Sequence, residues 1–516
     1  MRRGFVRAVV ALSLAMAGAW SPASASWLRA TSAHFVVYAN GSVDDLREQA
    51  VELERFDAML RRFHATGENA DAAFNKVTIY VVPSVDAIQR LTNARNAAGF
   101  YLPRVTGSVA FTPRNAGGGS VTELSPKIVL FHEYAHHFML GSYATAYPRW
   151  FAEGYAEFAS TATKRDGAYW LGAPANHRAY ALMAGPGLPA AKLFDPPAKM
   201  DDFQVDALYG RGWLLTHYLM LDAARHKQLA DYLKLYGQGV PSSEAAKQTF
   251  GDLKALDRAL DNYVRQRRLL AVRLTPESLG DPKVDIVPLS EGQAAMIDMR
   301  IRSTAGVDQK TARPLYARAA PVAARYPQDA VAQGWFAEIA TDAGELDAAE
   351  HAADAALAAD PQSSQALLYK ARVLMARAVQ AKASDPAQWD AARRFIVRAN
   401  RIQNNDAAAL VLFYQSFMLQ GIAPREAAKR GLDRAVELVP QDPSTRFMDA
   451  RQQILDDRVA DAKRTLRPLA ADPHAGAANP AALMLAALEA GKKGEAVLAA
   501  GGEKPDEDSA TASKTD

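Results

Sequence analysis

"FHEYAHHFML" (131–140) holds three of the chain's ten histidines within six residues and contains the pattern H-E-x-x-H at His132, Glu133 and His136. Four residues of α-helix make a turn plus about 40°, so His132 and His136 leave one face a turn apart and can share a metal ion at ~2.0–2.1 Å per nitrogen. A helix is predicted because Ser125 can act as N-cap, Pro126 suits the first helical position and Gly141 can end it. His137 lies about 140° around that helix from His132. It is expected to pack or hydrogen-bond rather than to bind metal.

Two histidines are half a site, since a catalytic zinc needs a third protein ligand and an open position. "YPRWFAEGYAEFAS" (147–160) begins a second helix at Pro148 and presents Glu153 and Glu157 four residues apart on one face. Glu153 can supply the third ligand. Glu157, one turn on, is placed to accept a hydrogen bond from the other ring nitrogen of His132. A solvated acidic face is the alternative. The neighbouring Trp150, Phe151, Tyr155 and Phe158 weigh against it, because they make the helix apolar and buried carboxylates need partners. Gly154 and Ala156 are expected to let this helix lie close to the first.

H-E-x-x-H followed by a tryptophan and E-G-x-A-E resembles the gluzincin zinc peptidases, in particular their peptidase-MA-like group and more distantly the aminopeptidase-N-like enzymes. The resemblance covers residues 26–275 and implies an α+β zincin-like domain. It implies Zn2+ held by His132, His136 and Glu153, with Glu133 as the catalytic base. "LYGRGWLLTHYLM" (208–220) is similar to the segment whose tyrosine hydrogen-bonds the oxyanion in aminopeptidase-N-like enzymes, which points to Tyr209. A packed aromatic at a helix start is the other reading of Tyr209, and His217 and Tyr218 are further candidates. The metzincin pattern would need glycine at 139 and histidine at 142, where the chain has Met139 and Ser142. The G-x-M-E-N strand of aminopeptidases is absent before His132, where "TGSVAFTP" stands, so cleavage within a peptide chain is expected.

The remaining sequence sets the context. Residues 1–25 read as a cleavable export signal, with arginines, a dozen apolar residues and Ala23-Ser24-Ala25, which implies a periplasmic or extracellular protein. Its removal takes away Arg2, Arg3 and Arg7 and no acid, so the 60 basic and 57 acidic residues of the whole chain become evenly balanced. Neither nucleic acid nor a stable membrane span is implied. The absence of cysteine excludes disulfides and thiolate ligands.

Strands are expected at "HFVVYANG" (34–41), "KVTIYVVP" (76–83) and "GSVAF" (107–111), with a helix over 43–65 and a loop at "RNAGGGS" (114–120). Residues 26–124 thus form a strand and helix part, and 125–275 a helical part carrying the zinc site. A connector spans 276–311. Residues 312–500 resemble tetratricopeptide repeats, an all-α solenoid: Pro327 and Pro361 stand 34 residues apart, and Pro440 and Pro473 stand 33 apart. Alanines fall twelve and five residues before Pro361 (Ala349, Ala356) and before Pro440 (Ala428, Ala435). The tail 501–516 is expected to be disordered. The whole reads as an exported zinc metallopeptidase acting on a peptide or protein, with a protein partner on the repeats. A repeat scaffold whose zinc domain is weakly active or inactive is the rival.

Overall fold

The computed structural model describes residues 27–502 except 68–70, 95–96, 116–124, 186, 198 and 473–477. The expected signal segment, most of the glycine-rich loop, Pro473 and the tail beyond Gly502 lie outside the described residues.

β-Branched and aromatic runs make a six-stranded sheet from β1 (Trp27–Thr31), β2 (Phe35–Asn40), β3 (Val77–Ser84), β4 (Phe100–Leu102), β5 (Val109–Asn115) and a late strand, Asp285–Pro288. Its order is β4-β5-β3-β2-β1 and then the late strand; β2, β3 and β5 run parallel and the outer pairings are antiparallel. β2 alternates between buried Phe35, Val37 and Ala39 and half-buried neighbours. β3, paired on both sides, is buried without a break from Ile79 to Val82, as its apolar run requires. Helix α1 (Val43–His64) starts at the Ser42 cap, whose hydroxyl accepts from the Asp45 N–H, and ends where Ala65 turns left-handed.

One face of the sheet, with Phe35, Val37, Ile79 and Val81, packs on α1 and on the helix of the H-E-x-x-H pattern. Phe56 and Phe131 stack there with centroids 3.9 Å apart. After α2 (Val85–Thr92) come the two site helices, α3 (Pro126–Ser142) and α4 (Arg149–Ser160). Ser125 caps α3 through the Ile128 N–H, and the helix runs one residue past Gly141.

The helical reading of 125–275 needs one correction. β6 (Thr163–Arg165) and β7 (Ala168–Leu171) form a hairpin, and β8 (Val272–Leu274) joins its edge. Asp166 and Gly167 both have positive φ, 53° and 72°, the backbone that an Asp-Gly hairpin turn uses. Short helices α5 (Ala179–Met183) and α6 (Ala190–Phe194) then precede α7 (Asp202–Met220), α8 (Ala223–Gly237), α9 (Ser242–Phe250) and α10 (Leu253–Val264).

The segment expected as a connector supplies the late strand, β9, and the first helix of the C-terminal array, α11 (Glu291–Thr304). The array continues as α12 (Gln309–Ala323), α13 (Ala330–Asp342), α14 (Leu346–Ala359), α15 (Ser364–Gln380), α16 (Pro386–Ile402), α17 (Ala407–Gln420) and α18 (Glu426–Leu438). It closes with α19 (Pro443–Leu455), α20 (Val459–Ala470), α21 (Pro480–Glu489) and α22 (Glu495–Ala500). These helices stack as hairpins into a solenoid, with Ala349, Ala356, Ala428 and Ala435 fully buried where helices meet.

The array is not a detached surface. Met296, Ile297, Trp335 and Phe336 cover the second face of the sheet, against Tyr80, Val82 and Phe111. Farther along, Gln441 exchanges hydrogen bonds with Asn75 (3.0 and 2.7 Å), Arg434 pairs with Asp71 (2.7 Å), and Arg467 donates to the Gly237 carbonyl (2.9 Å). Among the described residues no helix is long and apolar enough to cross a membrane.

Candidate metal centre

Helices α3 and α4 bring the three sequence-chosen ligands together. His132 Nε2 and His136 Nε2 stand 3.2 Å apart, and Glu153 Oε2 lies 3.4 and 3.6 Å from them. Bonds of ~2.0–2.1 Å in a tetrahedron put neighbouring ligand atoms roughly 3.3 Å apart, so this triangle matches one face of a zinc coordination shell. The donor types fit as well. Two imidazoles and a carboxylate are one of the established zinc ligand sets that need no cysteine.

Electrostatics point the same way. Glu153 is wholly buried and Glu157 is 1% exposed, so the pocket needs positive charge beside these carboxylates. Burial disfavours a charged His132, yet hydrogen bonds and attraction from Glu153 and Glu157 push its pKa up to about 10. A bound cation would answer the same demand.

Glu157 lies 3.4 Å from His132 Nδ1, on the side of the ring away from the shared nitrogens. Burial alone would raise its pKa. His132, His177 and Arg178 reverse that and hold it well below the usual carboxylate range. His177 Nε2 and an Arg178 guanidinium nitrogen each lie 2.6 Å from its oxygens. Sequence reasoning missed both residues. They sit in an irregular stretch and a single 3-10 turn, Asn176–Arg178, where no periodicity marks a face.

Gly154 meets a different neighbour from the one expected. Gly154 abuts Gly212 of α7 rather than α3: a Cβ on Gly154 would lie 2.4 Å from the Gly212 carbonyl. That close crossing delivers Tyr209 to the site. Its ring lies parallel to His132 at 5.9 Å, and Arg178 covers the ring at 5.0 Å. Burial, then the charge of Glu153, raises the Tyr209 pKa and keeps the phenol protonated. His217 and Tyr218, on the same helix, are engaged elsewhere. His217 bonds Tyr263 (3.0 Å) and the Gly172 carbonyl (2.9 Å), while Tyr218 packs on Tyr263 and under Arg225.

Comparison with known proteins adds little. No family description matches the chain, and no curated protein matches it. A solved structure similar to part of it is that of a thermophilic TPR protein from Thermus thermophilus, at 16% identity and a TM-score of 0.31, covering 39% of this chain and 99% of that one.

Glu133 and His136 border a cleft of about 300 Å³ whose opposite wall belongs to the array, including Pro440, Gln441 and Leu469. His137 is turned into the packing. Its Nδ1 meets the Tyr101 hydroxyl at 2.8 Å, Tyr134 stacks on its ring, and burial lowers its pKa to about 4. A second group with metal-ligand chemistry, His34, Glu54 and Asp57, is already satisfied from within. Glu54 takes His34 Nδ1 at 2.7 Å, and Asp57 takes both Arg61 and the Tyr134 hydroxyl.

Proposed function

We propose that the chain joins a helical-repeat scaffold to a zinc site that hydrolyses peptide bonds, in a protein exported to the periplasm or the exterior. The observation that carries this reading is the 3.2, 3.4 and 3.6 Å triangle of His132, His136 and Glu153, with Glu133 on the same helix facing a cleft. A mixed sheet backed by the α3 helix supports a gluzincin-like assignment for the first half of the chain.

Zinc held by these three residues would supply a Lewis acid and acidify a water molecule. Glu133, at the cleft wall, is positioned to take a proton from the attacking water and return it to the leaving amine. Tyr209, kept protonated, can donate its hydroxyl hydrogen to the oxygen that gains charge as the carbonyl is attacked. Glu157 orients the ring of His132, and Arg178 and His177 in turn fix Glu157.

A scaffold whose zinc site cleaves little is the second reading. The scaffold half has the more direct support, because the solenoid is present in the fold whereas cleavage rests on a few side chains. The retained Glu133 favours an enzyme, since a metal staple needs no base beside its ligands.

The deciding experiment assays zinc content and cleavage of a mixed peptide library for the mature chain and for Glu133→Gln. Zinc in both with cleavage only by the native chain supports the enzyme. Zinc in both without cleavage supports the scaffold, and absence of zinc overturns both forms.

A further inference from the structure

The cleft beside Glu133 and His136 is walled on one side by Met139, Leu140 and Tyr147 and on the other by Pro443, Pro468 and Leu469 of the array. At about 300 Å³ it stands at the small end of ligand sites, which run from about 300 to 1,000 Å³. The array wall is tied to the rest of the chain by Gln441, at Asn75, and by Arg467, at the Gly237 carbonyl.

One charged side chain in that wall is buried. Arg446 is 5% exposed, and its Nε and one Nη donate to the Pro440 carbonyl at 3.2 and 2.7 Å. Among the described residues no carboxylate is seen paired with it: burial disfavours its charged form, and the charge of Asp449 only partly offsets that. The other charges on the cleft are Glu133, at the metal side, and Asp472, which is exposed to solvent. A buried guanidinium without an anion is costly, and a bound carboxylate would supply the missing charge through charge-assisted hydrogen bonds.

We propose that this cleft receives the C-terminal end of a peptide, its apolar side chain against Leu469 and Pro468 and its free carboxylate at Arg446. The proposal rests on the hydrolytic reading above and narrows it, from cleavage at any internal bond to cleavage close to the chain end. It also makes the array part of the substrate site.

The test uses the zinc-loaded full chain and pairs of short peptides that differ only in a free or an amidated C-terminus. Cleavage is measured with the native protein, and binding is measured with Glu133→Gln. The free acid is expected to be preferred by about tenfold or more, with the preference lost in Arg446→Gln and partly kept in Arg446→Lys. Leu469→Lys leaves the Pro440 contact alone and should erase the preference for an apolar terminal residue. Equal binding of acid and amide, or an acid preference that survives Arg446→Gln, overturns the proposal. Acid-selective, Arg446-dependent binding without any cleavage upholds the proposal's recognition and refutes the hydrolytic reading.

Discussion

Gly154 and Gly212 meet where α4 crosses α7, so closely that a Cβ on Gly212 would lie 2.7 Å from the Trp150 carbonyl. The contact sets the distance between the helix that carries Glu153 and the one that carries Tyr209. Gly154→Ala should therefore force the helices apart, costing about 1–3 kcal/mol of stability and displacing Tyr209 from His132. Denaturant unfolding checks the first effect. Tyr209 fluorescence is crowded by other aromatics, so a crystal structure of the variant checks the second.

The buried carboxylate of Glu157 predicts two separable losses. Arg178→Ala removes its guanidinium partner and leaves a buried charge under-compensated, which should cost about 3–5 kcal/mol in unfolding experiments. Glu157→Gln removes the charge itself and loosens the hold on His132. Zinc affinity, measured by competition with a chelator, should fall by about 10- to 100-fold.

His64 gives a pH dependence of definite sign. Burial, and then the nearby His226, lower its folded pKa to about 4, while its Nε2 sits 2.8 Å from the Tyr155 hydroxyl. The unfolded chain, near 6.5, binds the proton more readily between these values, so stability rises with pH across that window and is lost as pH falls from about 6.5 toward 4. Denaturation midpoints across that range should show a shallower slope for His64→Gln than for the native chain. An unchanged slope would remove His64 as a source.

Gln441 ties the array to the sheet domain through Asn75 and the Ser108 hydroxyl, and it is 4% exposed. Its replacement by alanine leaves buried polar groups without partners, at about 1–3 kcal/mol. Amide exchange in α19 and α20 should quicken in Gln441→Ala, while exchange in α1 and β3 stays near native.

The parts of this structure that were legible in sequence are those governed by short-range pattern. Four-residue spacing placed His132 with His136 and Glu153 with Glu157, and the proline and alanine offsets marked the helical hairpins. What escaped depends on long-range packing. Arg178 reaches Glu157 from an irregular turn with no periodic signature. Gln441 and Arg446 lie on the far side of the sequence, beyond the whole sheet domain, from the helix whose cleft they wall. The choice of α7 as the partner of Gly154 depended on two glycines meeting in space. The hairpin at 163–171 carries one local signal, the Asp166-Gly167 turn pair, but its first strand, Thr163–Arg165, is polar and has no apolar alternation to mark it.

The most direct test is anomalous diffraction at the zinc edge from crystals of the zinc-loaded protein. The account predicts one strong peak about 2.0–2.1 Å from His132 Nε2, His136 Nε2 and a Glu153 carboxylate oxygen. No peak there, or a peak instead at His34, Glu54 and Asp57, would contradict it.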